Sequence, residues 1–235
     1  AWLVPKAAVS GVGFAFKNYD QVWQAMDGDL GKYIRAQITG AGLVVMDRIW
    51  DNGFRQITNN IKPIGNVNDL AGMKIRVPIG KLWISLFESL GAAASGISFN
   101  EVYSALQTRV VDGQENPLAI ASVARLYEVQ KYCSLTNHMW DGFWVLANKR
   151  AWDRMPARVQ EIAAKNFNEF ALLQRKDVAE MNSQLRKSLE EKGMVFNTAD
   201  PLSFRDKLRS SGYYANWRKE FGDDAWGLLE KAAGR

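Results

Sequence analysis

The sequence of 235 residues contains one cysteine and one histidine, and these low counts exclude several classes of protein. Cys133 has no second cysteine with which to form a disulfide, and together with His138 it offers too few ligands for a structural zinc site. No stretch approaches the roughly 20 consecutive apolar residues of a membrane-spanning helix. We therefore expect neither a disulfide scaffold, nor a metal site, nor direct insertion into a membrane.

Familiar catalytic and cofactor motifs are also lacking. The sequence has no G-x-S-x-G, H-E-x-x-H, C-x-x-C or P-loop pattern. We expect no catalytic residue and no cofactor. One enzyme hypothesis stays open, in which His138 acts as a general base with Asp141, although a lone histidine is more often a hydrogen-bonded structural residue.

The charge is weakly basic and evenly spread. Thirty Lys and Arg against 25 Asp and Glu give a formal net charge of +5, which favours an anionic partner. No run of five basic residues occurs, so the pattern does not indicate a nucleic-acid partner. The opening AWLVPKAAVSGVGFAF lacks the charged-then-apolar order of a signal peptide, and we expect a chain from which any leader has been removed.

Hydrophobic periodicity alternates between helical and extended segments. The pattern predicts helices over 20–39, 80–91, 101–107 and 117–129, and strands over 43–50, 74–78, 110–114, 129–135, 143–148 and 194–197. Such alternation is typical of an α/β fold with mostly parallel sheets.

One segment predicts an unusually long helix. From Ala157 to Lys192 apolar residues keep helical spacing without proline or glycine. A helix of that length measures roughly 50 Å, more than the diameter of a small domain, so we expect it to cross between two lobes. Amphipathic helices should follow it to the C-terminus.

Arg76 is the residue most suggestive of a ligand site. It lies within the apolar strand KIRVP, where its side chain must face either solvent or an interior cleft. In a cleft the guanidinium needs an anion, and it grips a carboxylate with two parallel hydrogen bonds. The alternative is an edge strand that turns Arg76 outward, or a pairing with a carboxylate of the protein itself.

Several motifs in a fixed order resemble one protein family. DNGFRQITNN (51–60), LAGMKIRVP (70–78), SFNEVYSALQT (98–108), VVDGQENPLA (110–119) and YEVQKYCSLTNH (127–138) are similar to the DctP-like substrate-binding proteins of tripartite ATP-independent periplasmic (TRAP) transporters. The resemblance implies a two-lobed periplasmic protein that closes on an organic anion and delivers it to membrane subunits. It also implies that the protein is not an enzyme.

The same resemblance implies roles for individual residues. Arg76 would form the salt bridge to the ligand carboxylate, Arg55 would be a second contact, and Asn116 would donate its amide to the same carboxylate. Asn116 has an alternative role as the N-cap of a helix, because it immediately precedes Pro117.

Three further residues have supporting roles by resemblance. Glu115 and His138 match positions that couple to Arg55 during closure, and Phe99 matches an aromatic residue at the hinge edge of the cleft.

The resemblance also suggests a division into lobes. We expect residues 1–52 and 142–181 to form lobe I without its first βα units, 53–141 and 182–209 to form lobe II, and 210–235 to be C-terminal helices packing across both. If the absent units are essential, the chain could instead be a scaffold that binds no ligand.

Four aromatic residues and one isoleucine cluster around the segments expected to line the cleft, namely Ile79, Trp83, Trp140, Phe143 and Trp144. Such a wall predicts a monocarboxylate with an apolar or aromatic body rather than a sugar acid. The alternative is that these large aromatic side chains belong to the core.

Overall fold

The computed structural model describes residues 3–234. The first two positions of the predicted lobe I range and the last position of the predicted C-terminal range therefore lie outside the described residues. The predicted lobe boundaries stay a prediction.

The strands form a six-stranded sheet and a separate two-stranded sheet. The large sheet has the order β4-β3-β5-β2-β6-β8, and the small sheet pairs β1 with β7. The strands are β1 Leu43–Val45, β2 Trp50–Asn59, β3 Lys74–Val77, β4 Ala93–Gly96, β5 Gly113–Pro117, β6 Tyr132–Phe143, β7 Leu146–Asn148 and β8 Val195–Thr198.

Helices cover the faces and ends of these sheets. The α-helices are α1 Tyr19–Met26, α2 Asp29–Gly40, α3 Lys81–Ser89, α4 Val102–Gln107, α5 Leu118–Val123, α6 Lys149–Trp152, α7 Ala157–Glu191, α8 Pro201–Ser210, α9 Tyr213–Phe221 and α10 Asp223–Ala232. Short 3-10 helices span Pro5–Gly11, Val67–Leu70, Phe99–Glu101 and Leu126–Glu128. The α/β class predicted from the sequence is confirmed.

The expectation of mostly parallel strands needs correction. β2 runs antiparallel to both of its neighbours, β5 and β6. The other pairs in the large sheet, β3 with β4, β3 with β5 and β6 with β8, are parallel. Hydrophobic patterning could not reveal this, because the direction of a strand is set by the connections around it rather than by its own sequence.

The predicted helix over 20–39 is two helices, α1 and α2. The chain turns at Asp27 and Gly28, and the start of α2 folds back on the end of α1. A Cβ atom on Gly31 would lie 1.7 Å from the carbonyl oxygen of Met26, so only glycine permits this approach. The apolar stripe is continuous across the turn, which is why periodicity alone predicted one helix.

Other boundaries also differ from the predictions. The strand predicted over 43–50 is the short β1 followed by a connection into β2. The strand predicted over 129–135 is the start of β6, which runs on to Phe143, and the strand predicted over 143–148 corresponds mainly to β7 in the small sheet. The helix predicted over 117–129 ends at Val123, before Arg125 adopts a left-handed conformation with φ of 54°.

The long helix is confirmed as α7, with 35 residues and a length of about 52 Å. Its side chains hold the segment that leads into β2. Asn168 accepts a hydrogen bond from the backbone of Arg48, Gln174 exchanges two hydrogen bonds with the backbone of Asp51, and Arg175 donates to the carbonyl of Ile49. The described residues contain no helix that is long and apolar enough to cross a membrane.

One large hydrophobic core joins distant parts of the chain. Val9 near the start, Ile75 in β3, and Phe204, Trp217 and Trp226 in the last three helices are buried in the same cluster. The C-terminal helices therefore pack on the same core as the large sheet, and they support β3, which carries Arg76.

Candidate functional site

Arg76 is a buried arginine on an interior strand of the large sheet. Its strand β3 lies between β4 and β5, and the side chain is 2% exposed. Nε donates to the carbonyl of Ile97 at 2.9 Å, whereas Nη1 is buried without a hydrogen-bond partner. Within residues 3–234 no carboxylate forms an ion pair with it. The alternative of an outward or internally paired arginine is therefore wrong.

The electrostatics of Arg76 reflect this isolation. Burial lowers the pKa of Arg76 to about 10; the negative charge of Glu115 opposes this lowering, and the positive charge of Arg55 adds to it. The ring of Phe99 lies 6.0 Å from the guanidinium carbon, and Phe99 itself is 47% exposed. An always-charged group in such surroundings is stabilised when an anion reaches it.

Arg55, on β2, lies in the opposite situation. It is also 2% exposed, but its guanidinium meets both carboxylate oxygens of Glu115 and donates to Asp141 at 2.9 Å. Nη2 also donates to the backbone carbonyl of Glu115 at 2.9 Å and to Oδ1 of Asn116 at 3.1 Å. These two carboxylates outweigh the effect of burial and raise the pKa of Arg55.

Glu115 links Arg55 to His138. Nε2 of His138 lies 3.0 Å from the Glu115 carboxylate, and Nδ1 lies 2.8 Å from the hydroxyl of Thr136. Both Glu115 and His138 are 0% exposed. Burial lowers the pKa of His138, whereas Arg55 and His138 outweigh the effect of burial on Glu115 and lower its pKa.

A register shift in β6 makes this contact possible. Arg55 pairs with Met139 and Ile57 pairs with Ser134, so two steps along β2 correspond to five steps along β6. The irregular stretch contains Asn137, whose φ is +44°. It turns His138 toward Glu115, which lies on the other neighbour of β2.

The hypothesis that pairs His138 with Asp141 does not match the geometry. His138 bonds to Glu115 and Thr136, whereas Asp141 bonds to Arg55 and Asn52. Sequence reasoning did not assign Asp141 to Arg55, and it missed Thr136 entirely. Thr136 lies in the quoted motif YEVQKYCSLTNH and Asp141 lies just beyond it, but the contacts of both residues depend on the register shift, which the sequence does not display.

Asn116 does not cap a helix. The N-cap position of α5 is Pro117, and no side chain caps that helix. The Asn116 amide instead accepts from Arg55 and donates to Oε1 of Gln114 at 2.6 Å. Sequence reasoning also missed Gln114 and its neighbour Thr58, although both lie in the quoted motifs.

The predicted aromatic wall is divided between core and cavity. A cavity of about 440 Å³ is lined by Trp83, Phe143 and Trp144, with an edge of Trp140. Trp140 is 3% exposed, because Trp23 and Phe16 cover it and Asp51 accepts its indole N–H. Phe143 is 54% exposed, and Ile79 is not among the lining residues. For Trp140, packing in the core is the main role that the contacts display.

Comparison with known families gives a match over most of the chain. The model of the bacterial extracellular solute-binding proteins of family 7, DctP, matches residues 1–216. A 2,3-diketo-L-gulonate-binding periplasmic protein of Escherichia coli is 34% identical over 88% of this chain. A C4-dicarboxylate-binding periplasmic protein of Vibrio cholerae is 31% identical over 93% of it.

Solved structures agree with the fold. The sugar acid binding protein of Advenella mimigardefordensis in complex with galactonate has a TM-score of 0.93 and 31% identity, covering 100% of this chain and 76% of that one. A TRAP periplasmic solute-binding protein of Polaromonas bound to D-erythronate has a TM-score of 0.92 and 28% identity. The match covers 97% of this chain and 75% of that one. The predicted two-lobed fold class is confirmed by these neighbours.

The relatives are longer than this chain. It spans 63% of the Escherichia coli protein, 65% of the Vibrio cholerae protein and 34% of a Sinorhizobium fredii protein to which it is 39% identical.

Proposed function

Since the chain belongs to the bacterial extracellular solute-binding proteins of family 7, we propose that it binds an organic acid in the periplasm and delivers it to the membrane subunits of a TRAP-type transporter. The observation that carries this proposal is the guanidinium of Arg76, buried with Nη1 unpartnered. A buried charge without a partner is costly, and a ligand carboxylate would supply the missing anion.

The proposed roles of the neighbouring residues follow from their contacts. Asn116 donates to the carboxylate beside Arg76, and Phe99 forms an exposed aromatic edge next to the same guanidinium. Arg55 already has two carboxylate partners, so it contributes through its positive charge and its hold on Asn116. Glu115 and His138 couple Arg55 to β6 during closure.

The finer proposal concerns the body of the acid. Trp83, Phe143 and Trp144 line a mainly apolar cavity, which would suit the predicted apolar or aromatic monocarboxylate, although Arg76, Asn116 and Phe99 are not among its lining residues. The competing class is the sugar acids, because the solved relatives hold galactonate and D-erythronate. In a thermal-shift panel of phenylacetate, benzoate, D-galactonate and D-erythronate, stabilisation by the two sugar acids alone would contradict the apolar body.

The site itself is tested by calorimetry of Arg76→Ala with the acid that stabilises the protein most. We expect binding to weaken by about 2–5 kcal/mol, the range for removing one partner of a buried charge pair. The matched control is Arg109→Ala, which removes the same charge from an exposed position and should bind like the parent. Equal binding by Arg76→Ala and the parent would exclude the proposed site, and a panel without any stabilising acid would favour a scaffold.

We also propose binding without chemistry. The acid should be recovered intact by mass spectrometry after prolonged incubation. Product formation that is abolished by His138→Ala would support the enzyme hypothesis instead. Delivery is tested by uptake of the acid into cells that carry the membrane subunits, which should require this protein.

A further inference from the structure

A chain of hydrogen-bonded side chains runs from Asn116 into the interior of the large sheet. Nδ2 of Asn116 donates to Oε1 of Gln114 at 2.6 Å, and Nε2 of Gln114 donates to the hydroxyl of Thr58 at 2.9 Å. Thr58 donates to Oε1 of Gln130 at 2.9 Å, and Nε2 of Gln130 donates to the carbonyl of Val129 at 2.9 Å. All four side chains are buried, with exposures between 0% and 5%.

The direction of donation is fixed at both ends of this chain. At one end the Arg55 guanidinium, which can only donate, bonds to Oδ1 of Asn116. At the other end the carbonyl of Val129 can only accept. The amides of Asn116, Gln114 and Gln130 each have a donating and an accepting side, so reversing any one of them would oppose donor to donor or acceptor to acceptor.

The hydrogen-bonded series of side chains from Asn116 to Gln130 also lies beside Arg76. Arg76 on β3 pairs in register with Gln114 on β5, which pairs with Thr58 on β2, so the three side chains share one face of the sheet. Asn116 follows two residues later on the same face. Its Nδ2 has two protons, and Gln114 takes one of them.

From this geometry we infer that Gln114, Thr58 and Gln130 are positioning residues that lock the Asn116 amide with Nδ2 available to the ligand carboxylate beside Arg76. The inference rests on the proposed function, because it concerns the same site. Without these contacts only the hydrogen bond from Arg55 to Oδ1 would favour the present orientation of the Asn116 amide. In the rotated orientation the amide would present an oxygen to the carboxylate, and two acceptors repel each other.

The test compares Thr58→Val, which keeps the shape of the side chain and removes the hydroxyl, with Thr58→Ser, which keeps the hydroxyl. The first measurement needs no ligand: the exchange of the Asn116 side-chain amide protons with solvent, followed by NMR. We expect Thr58→Val to shift these resonances and to speed their exchange by roughly tenfold, the equivalent of one lost hydrogen bond. Thr58→Ser should resemble the parent.

The matched control is Ser134→Ala. Ser134 is also 0% exposed, and its hydroxyl donates to the side-chain amide oxygen of Asn197. It lies on β6 and takes no part in the hydrogen bonds that link Asn116 to Gln130. It should leave the Asn116 resonances unchanged. Unchanged resonances in Thr58→Val would overturn the inference.

The second measurement is calorimetry with D-galactonate, or with phenylacetate if that acid stabilises the protein more. Thr58→Val should bind about threefold to tenfold more weakly than the parent, and the loss should vanish in an Asn116→Ala background. A loss that persists in that background would overturn the positioning role. If Arg76→Ala abolishes binding while Thr58→Val binds like the parent, the inference fails and the proposed function stands.

Discussion

Arg55 and Arg76 are two buried arginines in one sheet, separated by a single strand. The charge of Arg55 is balanced by carboxylates of the protein, whereas the charge of Arg76 is not. Arg55 is enclosed by Glu115 and Asp141, so its charge is balanced within the protein. Arg76 donates one hydrogen bond to a backbone carbonyl and has no carboxylate partner among residues 3–234. The arrangement at Arg55 is typical of a structural ion-pair cluster, and the arrangement at Arg76 indicates a binding site for an anionic ligand.

The comparison is tested most strongly by removing each guanidinium in turn. Arg55→Met should lower the free energy of unfolding by about 3–5 kcal/mol, because Glu115 would remain buried without its partner. Arg76→Met should cost little or nothing in the ligand-free protein, since no carboxylate of the protein depends on it. Urea unfolding of both variants measures the difference, and equal losses would contradict the distinction.

A second prediction sharpens the role of geometry at Arg76. Arg76→Lys keeps the charge but loses the planar fork that matches a carboxylate, so its affinity for the acid should lie between those of the parent and Arg76→Ala. Calorimetry on the three proteins gives the ranking. Full affinity in the lysine variant would show that charge alone is recognised.

Acidification should weaken the cluster formed by Arg55, Glu115, Asp141, His138 and Thr136, which we call the Arg55 centre. The folded pKa of His138 lies below its usual 6.5, so its contribution is fully present above pH 6.5 and is lost as the pH falls below it. The folded pKa of Glu115 lies below 4.5, so its contribution is lost at still lower pH. Unfolding free energies measured between pH 7 and 4 should fall by up to about 1.4 kcal/mol per pH unit per proton taken up. In His138→Gln the unfolding free energy should fall less steeply between pH 6.5 and 5.5 than in the parent. An equally steep fall would exclude His138 as the cause of the pH dependence.

The smallest expected effect concerns Thr136. Thr136→Val removes the hydroxyl that bonds to His138, and the unfolding free energy should fall by about 0.5–1.5 kcal/mol. Binding of the acid should change less than in Arg76→Ala, because Thr136 is at the far end of the Arg55 centre. For this variant, calorimetry measures the change in affinity for the acid, and urea unfolding measures the change in stability.

The contrast between the two arginines also explains what the sequence could reveal. The strand around Arg76 was predictable because Ile75 and Val77 flank a charged residue, and α7 was predictable because its spacing is unbroken over 35 residues. The partners of Arg55 were partly available through resemblance, which supplied Glu115 and His138. Asp141, Thr136 and Gln114 were not assigned, because their contacts depend on strand direction and on the register of β6.

The register shift in β6 also limits which changes of chain length the protein can tolerate. Surface loops commonly accept insertions and deletions, but the irregular stretch between Ser134 and Met139 lies in the interior of the sheet. Removing one residue there would turn the later side chains of β6, up to the next irregularity, to the opposite face of the sheet. His138 and Asp141 would then point away from Glu115 and Arg55. Among natural variants of this protein, the spacing from Ser134 to Asp141 should therefore stay constant even where the residues themselves change.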